Sequence, residues 1–224
     1  MTARRRIAAV STCRRLAAAA ALVLLAACSA EEVGAPPGEI VRAAYVTGEA
    51  PSLTLVTVIN ERSGNGAHTA LVVNGSQRVV FDPAGTFNEP VNNPANRGGG
   101  DARVMVERGD VLYGMTPRYY DAYIDYHTRE TFRTVEQTVR VSPEAAERAL
   151  ALVQSNGPAS KATCALSTGR ILRQVPGFEG FPASWYPKRA MSAFGAYPGV
   201  VTTVHRDGDP DDNAAKRAAA ALGG

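Results

Sequence analysis

The stretch Ala67-His68-Thr69-Ala70-Leu71-Val72-Val73-Asn74-Gly75-Ser76-Gln77-Arg78-Val79-Val80-Phe81-Asp82 decides the fold class. Two apolar, β-branched runs flank Asn74-Gly75, the strongest short-range signal for a β-hairpin that a sequence offers. Upstream, Leu53 to Ile59 alternates β-branched and aliphatic residues and reads as a further strand. Phe132 to Val141 has the same character, and Val111 to Met115 is a short strand candidate. Helical segments are set among these strands. Ser142-Pro143-Glu144 supplies an N-cap hydroxyl, a proline for the first turn and an acid facing the helix dipole. Ala146, Leu150 and Val153 form its buried stripe, and Asn156-Gly157-Pro158 stops it. A second helix begins near Cys164, carries Leu166, Ile171, Leu172 and Val175, and ends by Pro176-Gly177. Thr116-Pro117 opens another, with Tyr119, Tyr120, Tyr123, Ile124 and His127 at helical spacing. Lys188 to Phe194 gives one more inside the aromatic, proline-rich stretch from Phe178 to Tyr197. The mixture predicts an α+β fold, an antiparallel sheet with packed helices.

The N-terminus has a different composition. Arg4, Arg5, Arg6, Arg14 and Arg15 precede an uncharged, alanine-rich run from Leu16 to Leu25, and Leu25-Ala26-Ala27-Cys28 follows. That is the build of a secretory signal, too short in its apolar part for a durable membrane span. The cysteine after Leu-Ala-Ala resembles the lipobox of bacterial lipoproteins, in which the sulfur receives a diacylglyceryl group. The resemblance implies a signal peptide over 1–27, lipidation of Cys28 and membrane anchoring through that lipid. Ser29 in place of aspartate after it suggests, by analogy with Gram-negative sorting, the periplasmic face of the outer membrane. Residues 28–39, with Gly34, Pro36 and Pro37, read as a tether, 40–206 as a single domain, and 207–224 as a flexible tail. The loop from Thr86 to Gly100 is long enough to be a functional rim.

Removing the signal changes the charge balance. Its five arginines come off a total of 24 basic residues, leaving 19 against 21 acids, so the excess of base belongs to the targeting segment. Nucleic-acid binding loses its electrostatic basis with them. Of three cysteines, Cys13 leaves with the signal and Cys28 is lipidated, which makes Cys164 the one thiol of the mature chain. No zinc or calcium spacing is present, and no cofactor is implied.

Cys164 stands at an expected helix N-terminus, where unpaired backbone N–H groups favour a thiolate and can bind an oxyanion. His68 lies on a strand and Asp82 at the end of its hairpin partner, which supplies a nucleophile, a base and an orienting carboxylate. A two-residue turn at Asn74-Gly75 pairs His68 with Phe81 and sends Asp82 to the other face; a three-residue loop or bulge, Asn74-Gly75-Ser76, puts Asp82 opposite His68. Failing that loop, His127 is the candidate third residue. Each has a plainer reading: Cys164 as a core cysteine, His68 as a satisfied sheet histidine, Asp82 as a turn-opening aspartate before Pro83, His127 as structural. His205, beside Arg206 and Asp207, reads as a surface residue.

A strand histidine, a polar residue about a dozen positions later, and a helix-capping cysteine near the C-terminus resemble the circularly permuted papain-like proteins, namely the permuted NlpC-type amidases and the lecithin:retinol acyltransferase group. The resemblance spans roughly residues 67–175. It implies Cys164 as nucleophile, His68 as general base and Asp82 as third residue, with amide or ester hydrolysis or transfer on a cell-wall peptide or a lipid. Relatives often carry asparagine before the nucleophile, where this chain has Thr163. The rival expectation is a non-catalytic, lipid-anchored binding or scaffold domain that uses the Thr86–Gly100 loop and the Phe178–Tyr197 stretch.

Overall fold

The computed structural model describes residues 34–85, 87 and 105–209. The signal segment, Cys28, most of the Thr86–Gly100 loop and nearly all of the C-terminal tail lie outside the described residues. The chain is α+β, as expected. Its elements in order are α1 (Pro37–Ala43), β1 (Ser52–Asn60), β2 (Gly66–Asn74), β3 (Arg78–Phe81), β4 (Val106–Arg108), β5 (Val111–Tyr113), α2 (Pro117–His127), β6 (Phe132–Arg140), α3 (Pro143–Ser155), α4 (Cys164–Leu172), α5 (Pro187–Gly195) and β7 (Val201–His205). The strands form one seven-stranded antiparallel sheet in the order β4-β5-β3-β2-β1-β6-β7.

Helices cover both faces of the sheet. Leu53, Leu55, Leu71, Val73, Val79 and Phe81 pack on one face against Ala149, Leu150 and Val153 of α3, Ile171 and Leu172 of α4, and Phe194 of α5. Val56, Ala70, Val72, Val80 and Leu112 pack on the other against Tyr119, Tyr123 and Ile124 of α2. Each such side chain, fully withdrawn from water, contributes about 1.5–3 kcal/mol. With both faces covered, β1 is buried from Leu53 to Ile59, which is why that segment carries no polar-out alternation.

Several expectations shift in detail. The β2–β3 connection is not a two-residue turn: Asn74 pairs with Arg78 and Leu71 with Phe81, leaving Gly75-Ser76-Gln77 as a three-residue loop. Glu147 of α3 holds that loop by accepting from the Ser76 N–H and hydroxyl. The short strand ends at Tyr113 and not Met115. The last three residues of the expected tether, Pro37 to Glu39, are helical. Strands β4 and β7 carry no clear sequence signal, being three residues long and five residues long at the sheet's two edges. Among the described residues no helix is long and apolar enough to cross a membrane.

Candidate active site

The site forms where β2 loses a neighbour. β3 pairs with β2 only from Leu71 to Asn74, and beyond Phe81 the chain turns away, the Asp82 N–H donating to the Asp110 carbonyl at 2.8 Å. The Gly66–Ala70 end of β2 therefore has backbone donors free on that side. The N-terminus of α4 reaches this gap, and the Cys164 sulfur accepts from the backbone N–H of Thr69. The gap is what allows a cysteine on a helix of one face to meet a histidine on the other.

His68 lies on the α2 face by alternation with Ala70 and Val72, and two local features shape its surroundings. Val58 pairs with His68 while Ile59 pairs with Gly66, so Ala67 is an extra residue, a β-bulge immediately before the histidine. The three-residue loop sets the register of β3, so that Asp82 comes level with Ala70, one pleat along from His68 and on its face. His68 Nε2 and Asp82 Oδ1 are 2.5 Å apart, and Tyr123 of α2 donates its hydroxyl to the same oxygen at 2.9 Å. With Nε2 taken, Nδ1 is the nitrogen left for the side-chain hydrogen bond to Cys164. Gly85 is glycine for a related reason: a Cβ there would meet the Asp82 carboxylate head-on.

Cys164 is the first residue of α4, where the leading N–H groups have no partner in the helix. The N-cap Thr163 leaves them open, because its hydroxyl donates back to the Ser160 carbonyl at 2.6 Å. Ala165 N–H reaches the sulfur. The backbone around the site is strained. All three non-glycine residues with positive φ among the described residues flank it: Ala84 at 56°, Asp110 at 63° and Ala162 at 62°. Asp110 ties these segments together, its Oδ2 accepting from Ala84 N–H at 3.1 Å and from Ala159 N–H at 2.7 Å.

The charges interlock. Burial acts most strongly on His68 and lowers its pKa. The Asp82 charge and hydrogen bond, with the Cys164 contact added, overcome this and push the imidazole up to about 10. Burial pushes the Cys164 thiol up, but the hydrogen bond and charge of His68 and the two backbone N–H groups bring it below its ordinary value. For Asp82, burial is again the largest influence and raises the carboxyl; His68, His127 and the Tyr123 hydroxyl together hold it below the usual carboxylate range. The arrangement favours a thiolate–imidazolium pair backed by a buried carboxylate.

Asp82, and not His127, is the residue hydrogen-bonded to His68. His127 instead stacks on His68 with ring centroids 5.6 Å apart and planes within 9°. Its Nδ1 lies 2.8 Å from the Tyr123 carbonyl, and Phe87, Tyr123 and Tyr126 surround the ring. Burial drives its pKa down to about 4, so it remains neutral beside the charged pair. His68, Asp82 and His127 each offer a ligand atom within 4.8 Å of the others, a spacing that could hold a metal ion. His205, expected on the surface, is half-buried and paired with Glu136 at 2.5 Å, at the far edge of the sheet. Tyr123 and Asp110 were not singled out as site residues from sequence: Tyr123 is one of five tyrosines and histidines on its helix, and Asp110 is the second residue of an ordinary Gly-Asp turn.

A half-open cleft of about 270 Å³ opens beside His68 on the α2 side, lined by Val58, Ala67, His68, Tyr126, Arg129 and Phe132 among others. Protein-family models, curated proteins and solved structures give no match to this chain.

Proposed function

We propose that this chain is a thiol-dependent acyl hydrolase or transferase with a permuted papain-like core, carried outside the cytoplasm on a lipid at Cys28. The observation that supports it is the line of Cys164, His68 and Asp82: His68 is hydrogen-bonded to Asp82 and near enough to Cys164 to act on its thiol, which stands at a helix N-terminus. A scaffold domain has no use for this line, since a core cysteine would sit among apolar side chains with no histidine near. Cys164 is 8% exposed, and its partner His68 lines the cleft.

In this reading the Cys164 thiolate attacks an amide or ester carbonyl carbon, forming the S–C bond. The N–H groups at the start of α4 stabilise the oxyanion. His68 gives its Nδ1 proton to the departing amine or alcohol as the C–N or C–O bond breaks. Water or a second nucleophile, losing its proton to His68, then releases the acyl group and restores the thiolate. Asp82 holds the imidazole with Nδ1 toward the sulfur and sustains its positive charge. The cleft is a short open groove and not an apolar tunnel, which favours a peptide-like acyl portion over a long lipid chain.

Stopped-flow reaction with a short-chain p-nitrophenyl ester tests this. A burst of one nitrophenolate per chain, with the acyl mass found on Cys164 and lost in Cys164→Ser, is expected. Absence of both burst and adduct would overturn the reading.

A further inference from the structure

One surface feature lies outside the catalytic line. Trp185 and Tyr186 are 58% and 70% exposed, and Lys188 and Arg189 beside them are exposed too. They are held out on a rigid corner. Ser184, Pro187 and Ala190 between them are buried, and the Ser184 hydroxyl accepts from the Tyr186 N–H at 3.2 Å. The preceding Pro182 carbonyl presses on Gly169 of α4 at 2.5 Å from where a Cβ would be, and Pro187 presses likewise on Gly66 at 2.6 Å. No acid occurs anywhere from Gly180 to Arg206. Among the described residues neither Lys188 nor Arg189 has a carboxylate partner. Amphipathic aromatic rings beside unpaired bases are the side chains that seat at a bilayer's headgroup layer, the rings at the interface and the bases against anionic lipid.

The corner's place in the fold agrees. Pro187 abuts the first residue of β2, two residues before His68, at the end of the sheet where the cleft opens. The described chain also enters at that end: Gly34 bridges to Arg108, next to the turn whose Asp110 carbonyl receives the Asp82 N–H. From Cys28 to Gly34 the chain can span at most about 20 Å. On the lipid-anchored reading the domain is held within that reach of a bilayer, where even weak contacts gain from high effective concentration.

We propose that the Trp185-Tyr186-Lys188-Arg189 corner docks on an anionic bilayer surface and holds the cleft against the headgroup layer, so that the substrates are acyl groups presented at the membrane face. This rests on the lipid-anchored acyl-chemistry reading. Trp185 is the single tryptophan of the chain, so its fluorescence reports the corner alone. The test uses the full lipidated chain in vesicles of phosphatidylglycerol and phosphatidylethanolamine, with and without lipids brominated near the headgroup. Expected are a shift of Trp185 emission to shorter wavelength and quenching by the brominated lipid. Both should be lost in the double variant Lys188→Glu, Arg189→Glu and in vesicles of phosphatidylcholine alone. Emission that stays water-like and unquenched on anionic vesicles, or that is quenched equally on neutral ones, would overturn the proposal. Flotation of wild type against Cys28→Ser reads the anchor separately, and thiol alkylation of the same samples reads the catalytic line.

Discussion

Replacing Asp82 by Asn removes one charge and almost no shape. The amide oxygen can still accept from His68 Nε2 and from the Tyr123 hydroxyl, so a turn residue before Pro83 would hardly register the change. A charge partner would. The imidazolium and carboxylate charge centres are about 4 Å apart, which at an effective dielectric of about 20 amounts to about 4 kcal/mol, or about 3 pKa units. Solvent screening is slight, with the two side chains 16% and 4% exposed. His68, at about 10 in the wild type, should fall well below that value, because burial continues to act on it. Cys164 then loses much of the imidazolium that holds it as a thiolate. The assay is the pH dependence of Cys164 alkylation, with circular dichroism to show that the fold is kept. At pH 7.5 the rate should drop at least tenfold, and the apparent thiol pKa should rise by more than one unit. A rate and profile within twofold of wild type would refute the reasoning and return Asp82 to the role of a turn residue.

Gly85→Ala should mimic that variant, since the added methyl displaces the carboxylate it faces; alkylation at neutral pH is expected to fall severalfold and the melting temperature to drop with the weakened ion pair, and an unchanged rate would contradict the contact. His68 has a raised folded pKa, so its stabilisation is complete below the unfolded value of 6.5 and is lost as pH rises through about 10. Melting temperature should decline over that window in the wild type and stay nearly flat in Asp82→Asn; parallel curves would contradict the ion pair. His127 has the opposite sense: the unfolded chain takes up its proton near 6.5, the folded one only near 4, so stability is lost as pH falls between the two. The loss is on the order of 3 kcal/mol, and it should vanish in His127→Phe when melts are compared from pH 4 to 7.

The sequence carried the frame of this site further than its geometry. The Asn74-Gly75 signal located the hairpin, and the Ser142-Pro143-Glu144 cap and the Cys164 helix start fell where expected, because caps and turns are local chemistry. The register did not. Whether the loop holds two residues or three depends on Glu147, far along the chain, gripping Ser76, and on that choice hangs the face of Asp82. The stacking of His127 on His68 depends on how α2 lies across the sheet, which no local pattern gives. Asp110 carries no signal in the sequence, although it fastens the strained segments on either side of the nucleophile. β7 has two exposed valines and an edge position, so no burial pattern announces it.

The central claim, that Cys164 is an activated thiolate held by His68, is tested most directly by iodoacetamide alkylation of the chain across pH 4 to 10 with Cys28 replaced by serine, wild type against His68→Ala. The account predicts rapid modification of Cys164 with an apparent pKa well below the ordinary value of about 8.5, lost in His68→Ala. A thiol that resists alkylation until the domain unfolds, in both proteins alike, would contradict it.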